Sequence, residues 1–301
     1  MSDKMLLRIC EPAEALATLL ARKPVGEVTL TPTLAASIER VFGERLTPDE
    51  AVRWLLADVR ERGDTALRNW TQRIDGVAPE SFAVPPGTLQ AAYDALPPVL
   101  RQALHISIDR VRAFHQKQPM SSWLDWSPGG SALGQIVRPL ERVGVYAPGG
   151  TAPYPSTLIM CVVPAQVAGV AEIVVATPPG RGGQPAPIIL AAAHACGLQT
   201  VYGIGGAQAI AALAYGTQTI PRVDKIVGPG NIFVVLAKRL VYGVVDIDGL
   251  PGPTETLVIA DADANPALVA ADLLAQAEHD TLASAILITP SRALAEAVQV
   301  E

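Results

Sequence analysis

Long apolar runs, clustered cations, paired cysteines and the short signatures of nucleophilic enzymes are all missing from this chain. The most apolar runs, such as Ile188 to Ala195, fall far short of the roughly 20 residues that a membrane-spanning helix needs. At the start, Met1-Ser2-Asp3-Lys4-Met5-Leu6-Leu7 gives too short an apolar stretch before Arg8 for a secretory signal. The 23 Lys and Arg are scattered and the net charge is −6, which excludes a nucleic-acid surface, because phosphate binding needs clustered cations. Cys10, Cys161 and Cys196 are odd in number, far apart and in no CxxC pair, so a disulfide framework is excluded and a reducing compartment fits. The expectation is a cytoplasmic protein with neither membrane nor nucleic acid as partner. There is no GxSxG, GxxxxGK[ST] or GxGxxG. Cys161, inside the apolar run Thr157 to Val163, reads as a buried, inert thiol.

What the chain has is punctuation: 26 Pro and 25 Gly among 301 residues, with a hydrophobic share of 50%. That composition belongs to a compact protein rich in loops, and the length allows about two domains. Thr31-Pro32 and Thr47-Pro48-Asp49-Glu50 read as helix starts, the second as a Thr-x-x-Glu capping box. Val52, Leu55, Leu56 and Val59 then recur at helical spacing until Gly63. Further helices are expected over Thr65 to Arg73 and Val99 to His115, so the first third is mainly helical.

From Ile136 the texture changes. Strands are expected at Val143 to Tyr146, Ile173 to Thr177, Val201 to Ile204 and Lys225 to Val227, with helices at Ser156 to Ala168, Ala186 to Ala195 and Ala207 to Tyr215 between them. This is the rhythm of a doubly wound parallel sheet. A helix over Asn231 to Val241 and a strand over Val244 to Ile247 follow, and Gly249 to Pro253 marks the return to a second sheet. There a strand at Thr256 to Ala260, a helix from Asn265-Pro266 to Glu278, a strand at Ala285 to Thr289 and a helix from Ser291 are expected. The last helical pattern meets no Gly, Asn or Pro before Glu301, so a truncated C-terminus is expected, with a frayed terminal helix as the alternative.

Three strand-to-helix turns carry the candidate binding chemistry: Tyr146 to Thr151, Gly203 to Ala209, and Val227 to Asn231. All would lie at the carboxyl edge of one sheet, where open α/β folds bind ligands. Gln208 and Asn231 supply amides suited to ribose or nicotinamide groups, although plain turn chemistry explains the glycines equally well. Downstream, Gln276 and His279 leave one face of a helix three residues apart, like half of a metal site. A histidine at a helix end also meets free carbonyls, and zinc takes about four ligands, of which Gln is uncommon. His105, His115 and His194 have no acidic or thiol partner at ligand spacing.

Taken together, these motifs resemble the histidinol dehydrogenase family. The matching text is Glu141 to Gly150, Gly205 to Thr217, Val223 to Asn231, Gly252 to Glu255 and Asp272 to His279, in order, with Ala57 to Asp64 upstream. The resemblance implies two Rossmann-like doubly wound units in an aldehyde-dehydrogenase-like architecture, preceded by a helical N-terminal region. It divides the chain into an N-terminal arm (1–30), a first α/β domain (31–135 with 252–301) and a second, NAD-binding α/β domain (136–251). It implies oxidation of L-histidinol through the aldehyde to L-histidine with NAD and Zn2+. Tyr146, Gln208 and Asn231 are then the NAD contacts, Thr254 a substrate contact, and Gln276 and His279 zinc ligands that border the substrate. The resemblance places the acid/base Glu-His pair beyond Glu301, so no catalytic residue falls in this chain, which is expected to be inactive alone. It also implies a homodimer. Two other readings remain: a related zinc and NAD dehydrogenase of another small polar alcohol, and a noncatalytic nucleotide-binding module.

Overall fold

The structure, a computed structural model, describes residues 7–21, 30–77, 79–118, 121–149, 153–180, 182–251, 254–278 and 283–301. It divides into two units, Leu30–Leu250 and a second made of Met1–Thr29 with Pro251–Glu301. In chain order, the short helix α1 (Pro12–Ala17) is followed by α2 (Pro32–Phe42), α3 (Pro48–Arg62), α4 (Asp64–Asp75), α5 (Thr88–Asp94) and α6 (Pro98–His115). An exposed antiparallel hairpin, β1 (Trp123–Trp126) with β2 (Ala132–Gln135), comes next. Then strands and helices alternate: β3 (Arg142–Tyr146), α7 (Pro155–Val167), β4 (Glu172–Thr177), α8 (Pro187–Ala195), β5 (Val201–Gly203), α9 (Gly206–Tyr215), β6 (Lys225–Val227), α10 (Ile232–Val241) and β7 (Asp246–Ile247). The chain closes with β8 (Glu255–Ile259), α11 (Pro266–Ala277), β9 (Ser284–Ile288) and α12 (Arg292–Val300).

Local chemistry sets the helix ends. Thr47 accepts the Glu50 N–H at 3.3 Å while Glu50 accepts the Thr47 N–H at 2.8 Å, so the capping box closes and α3 starts where the sequence indicates. Helix α4 runs further at both ends than the expected Thr65 to Arg73. Asp64 is buried at its start, where its backbone N–H donates to Gln218 at 2.8 Å and its carboxylate accepts from Thr219 at 3.0 Å. Gly76, at φ +73°, ends the helix. These ties hold the start of α4 to the segment that follows α9, and α4 packs against α9.

In the larger unit, strands β5-β4-β3-β6-β7 form one parallel sheet in that order. Counted within the sheet the order is 3-2-1-4-5, and it reverses between β3 and β6, the switch point at which such sheets open a crevice for ligands. Val174 to Thr177 of β4 are buried one after another, as expected of a strand covered on both faces. Helices α5 to α8 pack together as one layer, and α3, α4, α9 and α10 pack together as the other. Phe82 to Val84 cover the β5 edge: the Val84 N–H donates to Val201 at 2.9 Å and the Gly203 N–H to Phe82 at 2.7 Å.

In the smaller unit, β8 and β9 pair in parallel, with α11 between them in sequence and α12 after. Val269, Ala270, Leu273, Leu294 and Val298 form its buried core. The expected α/β class with parallel sheets is therefore present in both units. The strand expected at Val244 to Ile247 is shorter, because Tyr242 to Val244 turn at Gly243 (φ +96°) before β7 begins. Among the described residues, no helix is long and apolar enough to cross a membrane.

Candidate functional site

The candidate site is built where β3, β4 and β5 end. Tyr146, the last residue of β3, is 3% exposed, and its hydroxyl accepts the Gly206 N–H at 3.1 Å. Burial pushes the phenol up to about 12, the Gly206 hydrogen bond pulls it back, and nearby Asp75 raises it further. It therefore keeps its proton at neutral pH and has that O–H left to donate. Around it the backbones come close. A Cβ on Gly149 would stand 3.0 Å from the Thr177 hydroxyl, and one on Gly205 would stand 2.7 Å from Pro178. One on Gly228, at φ +113°, would overlap the Tyr146 carbonyl oxygen. Side chains are excluded at these corners, which lets the strand ends and turns pack closely around Tyr146.

Helix α9 supplies the central polar group. Ala207 to Ala214 are all buried, as in a helix that is surrounded on every side, and Gln208 is the polar side chain among them, fully buried. Its Nε2 donates to Asp75 Oδ2 at 3.2 Å, whereas its Oε1 is buried with no partner among the described residues. Thr177, at the end of β4, also has a buried hydroxyl with no partner among the described residues. An unmet buried acceptor costs about 1 to 3 kcal/mol, so these atoms mark a place prepared for a ligand that supplies hydrogen bonds. Neither Asp75 nor Thr177 stands out in the sequence, because each ends an ordinary helix or strand pattern.

Burial pushes the Asp75 carboxyl up to about 6, with the Gln208 hydrogen bond opposing. Ionised Asp75 is thus disfavoured by the fold relative to the unfolded chain. The stability it contributes is full below pH about 4 and is lost as the pH rises through about 6. Asp75→Asn should therefore be more stable than the wild type near pH 7.5, by about 1 to 2 kcal/mol after allowance for partial solvent screening. That advantage should vanish toward pH about 4. Thermal unfolding at the two pH values checks this, and equal gains at both would contradict it.

Asn231 follows β6 and caps α10, its Oδ1 accepting the N–H groups of Phe233 (3.1 Å) and Val234 (3.2 Å). Its oxygen is committed to the helix, and the residue is exposed. The adjoining corner is braced from below. The Lys238 ammonium, 1% exposed, pairs with Asp248 and donates to the Gly228 carbonyl at 3.0 Å, while Asp248 accepts the Gly228 N–H at 2.7 Å. The structure thus joins Tyr146 and Gln208 through Gly206 and Asp75, and sets Asn231 at the next strand's turn. Burial pushes the Cys161 thiol up to about 11 and the Cys196 thiol up to about 12, so neither is an activated nucleophile.

In the smaller unit, Gln276 is half-buried on α11, and its Oε1 accepts from the Thr256 hydroxyl at 3.0 Å, while its Nε2 is buried without a partner among the described residues. A hydroxyl donates or accepts, so the exchanged amide would satisfy Thr256 equally and leave the oxygen as the free atom, the one a cation takes. Thr254 is exposed, and its carbonyl accepts the Ser284 N–H at 3.0 Å, two residues before Thr256 on the same ladder. His279 lies outside the described residues. Among the described residues, no three His, Cys, Asp or Glu gather as a metal site.

The sequence model of the histidinol dehydrogenase family matches residues 43–301. The chain belongs to the histidinol dehydrogenase family. A histidinol dehydrogenase of Deinococcus radiodurans is 55% identical over 295 residues, covering 98% of this chain and 66% of its own. One of Moorella thermoacetica is 51% identical over 267 residues, covering 87% of this chain and 63% of its own. The crystal structure of histidinol dehydrogenase from Elizabethkingia anophelis superposes with a TM-score of 0.80 at 36% identity, over 85% of this chain and 60% of that one. The chain therefore spans about two thirds, or slightly less, of the length of these histidinol dehydrogenases.

Proposed function

We propose that this chain carries the nucleotide-binding part of an NAD-dependent oxidation of L-histidinol, through the aldehyde, to L-histidine. Family membership supports the reaction, and one structural observation supports the placement: the fully buried Gln208 oxygen, without a partner among the described residues, at the carboxyl edge of a 3-2-1-4-5 sheet. NAD would supply hydride acceptance when bound. The chain's own residues would do the rest of the binding. Gln208 accepts a hydrogen bond from a donor of the nucleotide, and Tyr146 offers its retained proton from β3. Asn231 borders the next turn. The burial of Gln208, Thr177 and Tyr146 keeps water from competing for these hydrogen bonds.

Zinc and the alcohol are assigned to the smaller unit by family resemblance, with Gln276 and His279 as ligands and Thr254 as the substrate contact. The described residues supply only Gln276 of the roughly four ligands zinc takes, so they do not by themselves form its site, and no step is derived through the metal. Acid/base work is assigned to the Glu-His pair that the resemblance places past Glu301. A homodimer in the cytoplasm completes the proposal.

Nucleotide binding by the chain itself tests it. Calorimetric titration with NAD+ should show one site, and Gln208→Met should weaken it by roughly tenfold, the weight of one lost buried hydrogen bond. Equal NAD+ affinity in the two proteins would remove the site from this edge. L-histidinol should drive NADH formation by the complete gene product, and failure to do so with NAD+ bound would overturn the substrate assignment.

A further inference from the structure

Gln208 has two chemically different ends and, among the described residues, one hydrogen-bond partner, Asp75. A carboxylate only accepts, so ionised Asp75 holds the amide with Nε2 toward itself and turns Oε1 toward the Gly206 corner, where a Cβ would stand 2.6 Å from that oxygen. Asp75 is poorly placed for stability. It ends α4, where the helix dipole disfavours an acid, and burial disfavours its charge. Its helix is already anchored by Asp64 and stopped by Gly76. The carboxylate is therefore an unfavourable group whose described contact is to the one buried amide that faces the ligand edge.

We propose that Asp75 is a positioning residue that sets the hydrogen-bonding polarity of the nucleotide site, holding Gln208 as an acceptor so that the site takes a hydroxyl or amino donor of the nucleotide at that point. The inference rests on the reading of this edge as the nucleotide site. The groups that face Asp75 are the neutral Gln208 amide from α9 and the Tyr146 phenol from β3, which stays protonated across the range concerned. Protonated Asp75 can donate as well as accept. It then satisfies either end of the amide and no longer dictates which end meets the ligand.

Calorimetric titration of the chain with NAD+ across the pH range tests this. Wild-type affinity should fall roughly fivefold to tenfold between about pH 8 and about pH 5, most of it near pH 6. Asp75→Asn, whose amide offers both a donor and an acceptor to Gln208, should bind with the weakened constant at both ends of the range. A wild type without pH dependence overturns the proposal, as does an Asp75→Asn variant that keeps both the affinity and the slope. Failure of the nucleotide reading itself looks different: wild type and Gln208→Met would then bind NAD+ equally, or not at all, at about pH 8, and the proposal would fall with it.

Discussion

Lys238→Ala should unfold at lower urea concentration than the wild type, with a loss of about 2 kcal/mol, from the charge-assisted hydrogen bonds of a buried ammonium and the packing of its stem. The reason lies in what the ammonium holds. Lys238 is 1% exposed, pairs with Asp248, and donates to the carbonyl of Gly228, whose N–H donates to the same Asp248. Removing it leaves the Gly228 carbonyl without its ammonium donor and takes the cation from Asp248, which is 37% exposed and still accepts the Gly228 N–H. Lys238→Met keeps most of the apolar stem, so it separates packing from charge. If the brace is ionic, Met should recover little of the loss. Recovery to near wild-type stability would show that Lys238 serves as a filler.

The second large effect is expected at Gly228. It combines φ +113° with a Cβ direction that runs into the Tyr146 carbonyl oxygen, so alanine there must both adopt a disfavoured backbone and push β3 and β6 apart. A loss of roughly 3 kcal/mol or more follows from the backbone strain and the displaced contact together. The two strands are neighbours at the point where the sheet order reverses, so the change spreads the very crevice assigned to the nucleotide. NAD+ affinity should fall with stability. Gly197→Ala is the useful contrast. Its φ is also positive, at +80°, but a Cβ there would meet nothing within 4 Å, so its cost should be limited to the backbone term, about 1 kcal/mol. Equal losses at the two glycines would refute the close approach.

The positions of the elements were largely legible in the sequence, and their arrangement was not. The capping box at Thr47 and Glu50, the strand-turn-helix rhythm from Val143 and the Asn265-Pro266 start all follow from local chemistry, and local chemistry is what a sequence displays. The order β5-β4-β3-β6-β7 depends on packing between distant segments, which no local pattern encodes. The hairpin of β1 and β2 escaped because Trp123-Leu124-Asp125-Trp126 does not alternate cleanly and all four residues are exposed. At the site, Tyr146, Gln208 and Asn231 stood beside glycines at strand ends and could be singled out. Asp75 and Thr177 could not. Asp75 meets its partner across 133 residues, and Thr177 reads as the last residue of an apolar strand. Lys238 looks like any surface lysine in an amphipathic helix until α10 is packed and its face to Asp248 is buried.

The most direct test of the account is a crystal structure of the protein with NAD+ bound. The account predicts the nucleotide across the carboxyl ends of β3 and β6, with a hydroxyl or amino donor within hydrogen-bond distance of Gln208 Oε1 and Asp75 still facing Nε2. A nucleotide at the opposite edge of the sheet, by Arg222 and Asp246, or one that leaves the Gln208 oxygen unmet, would contradict it.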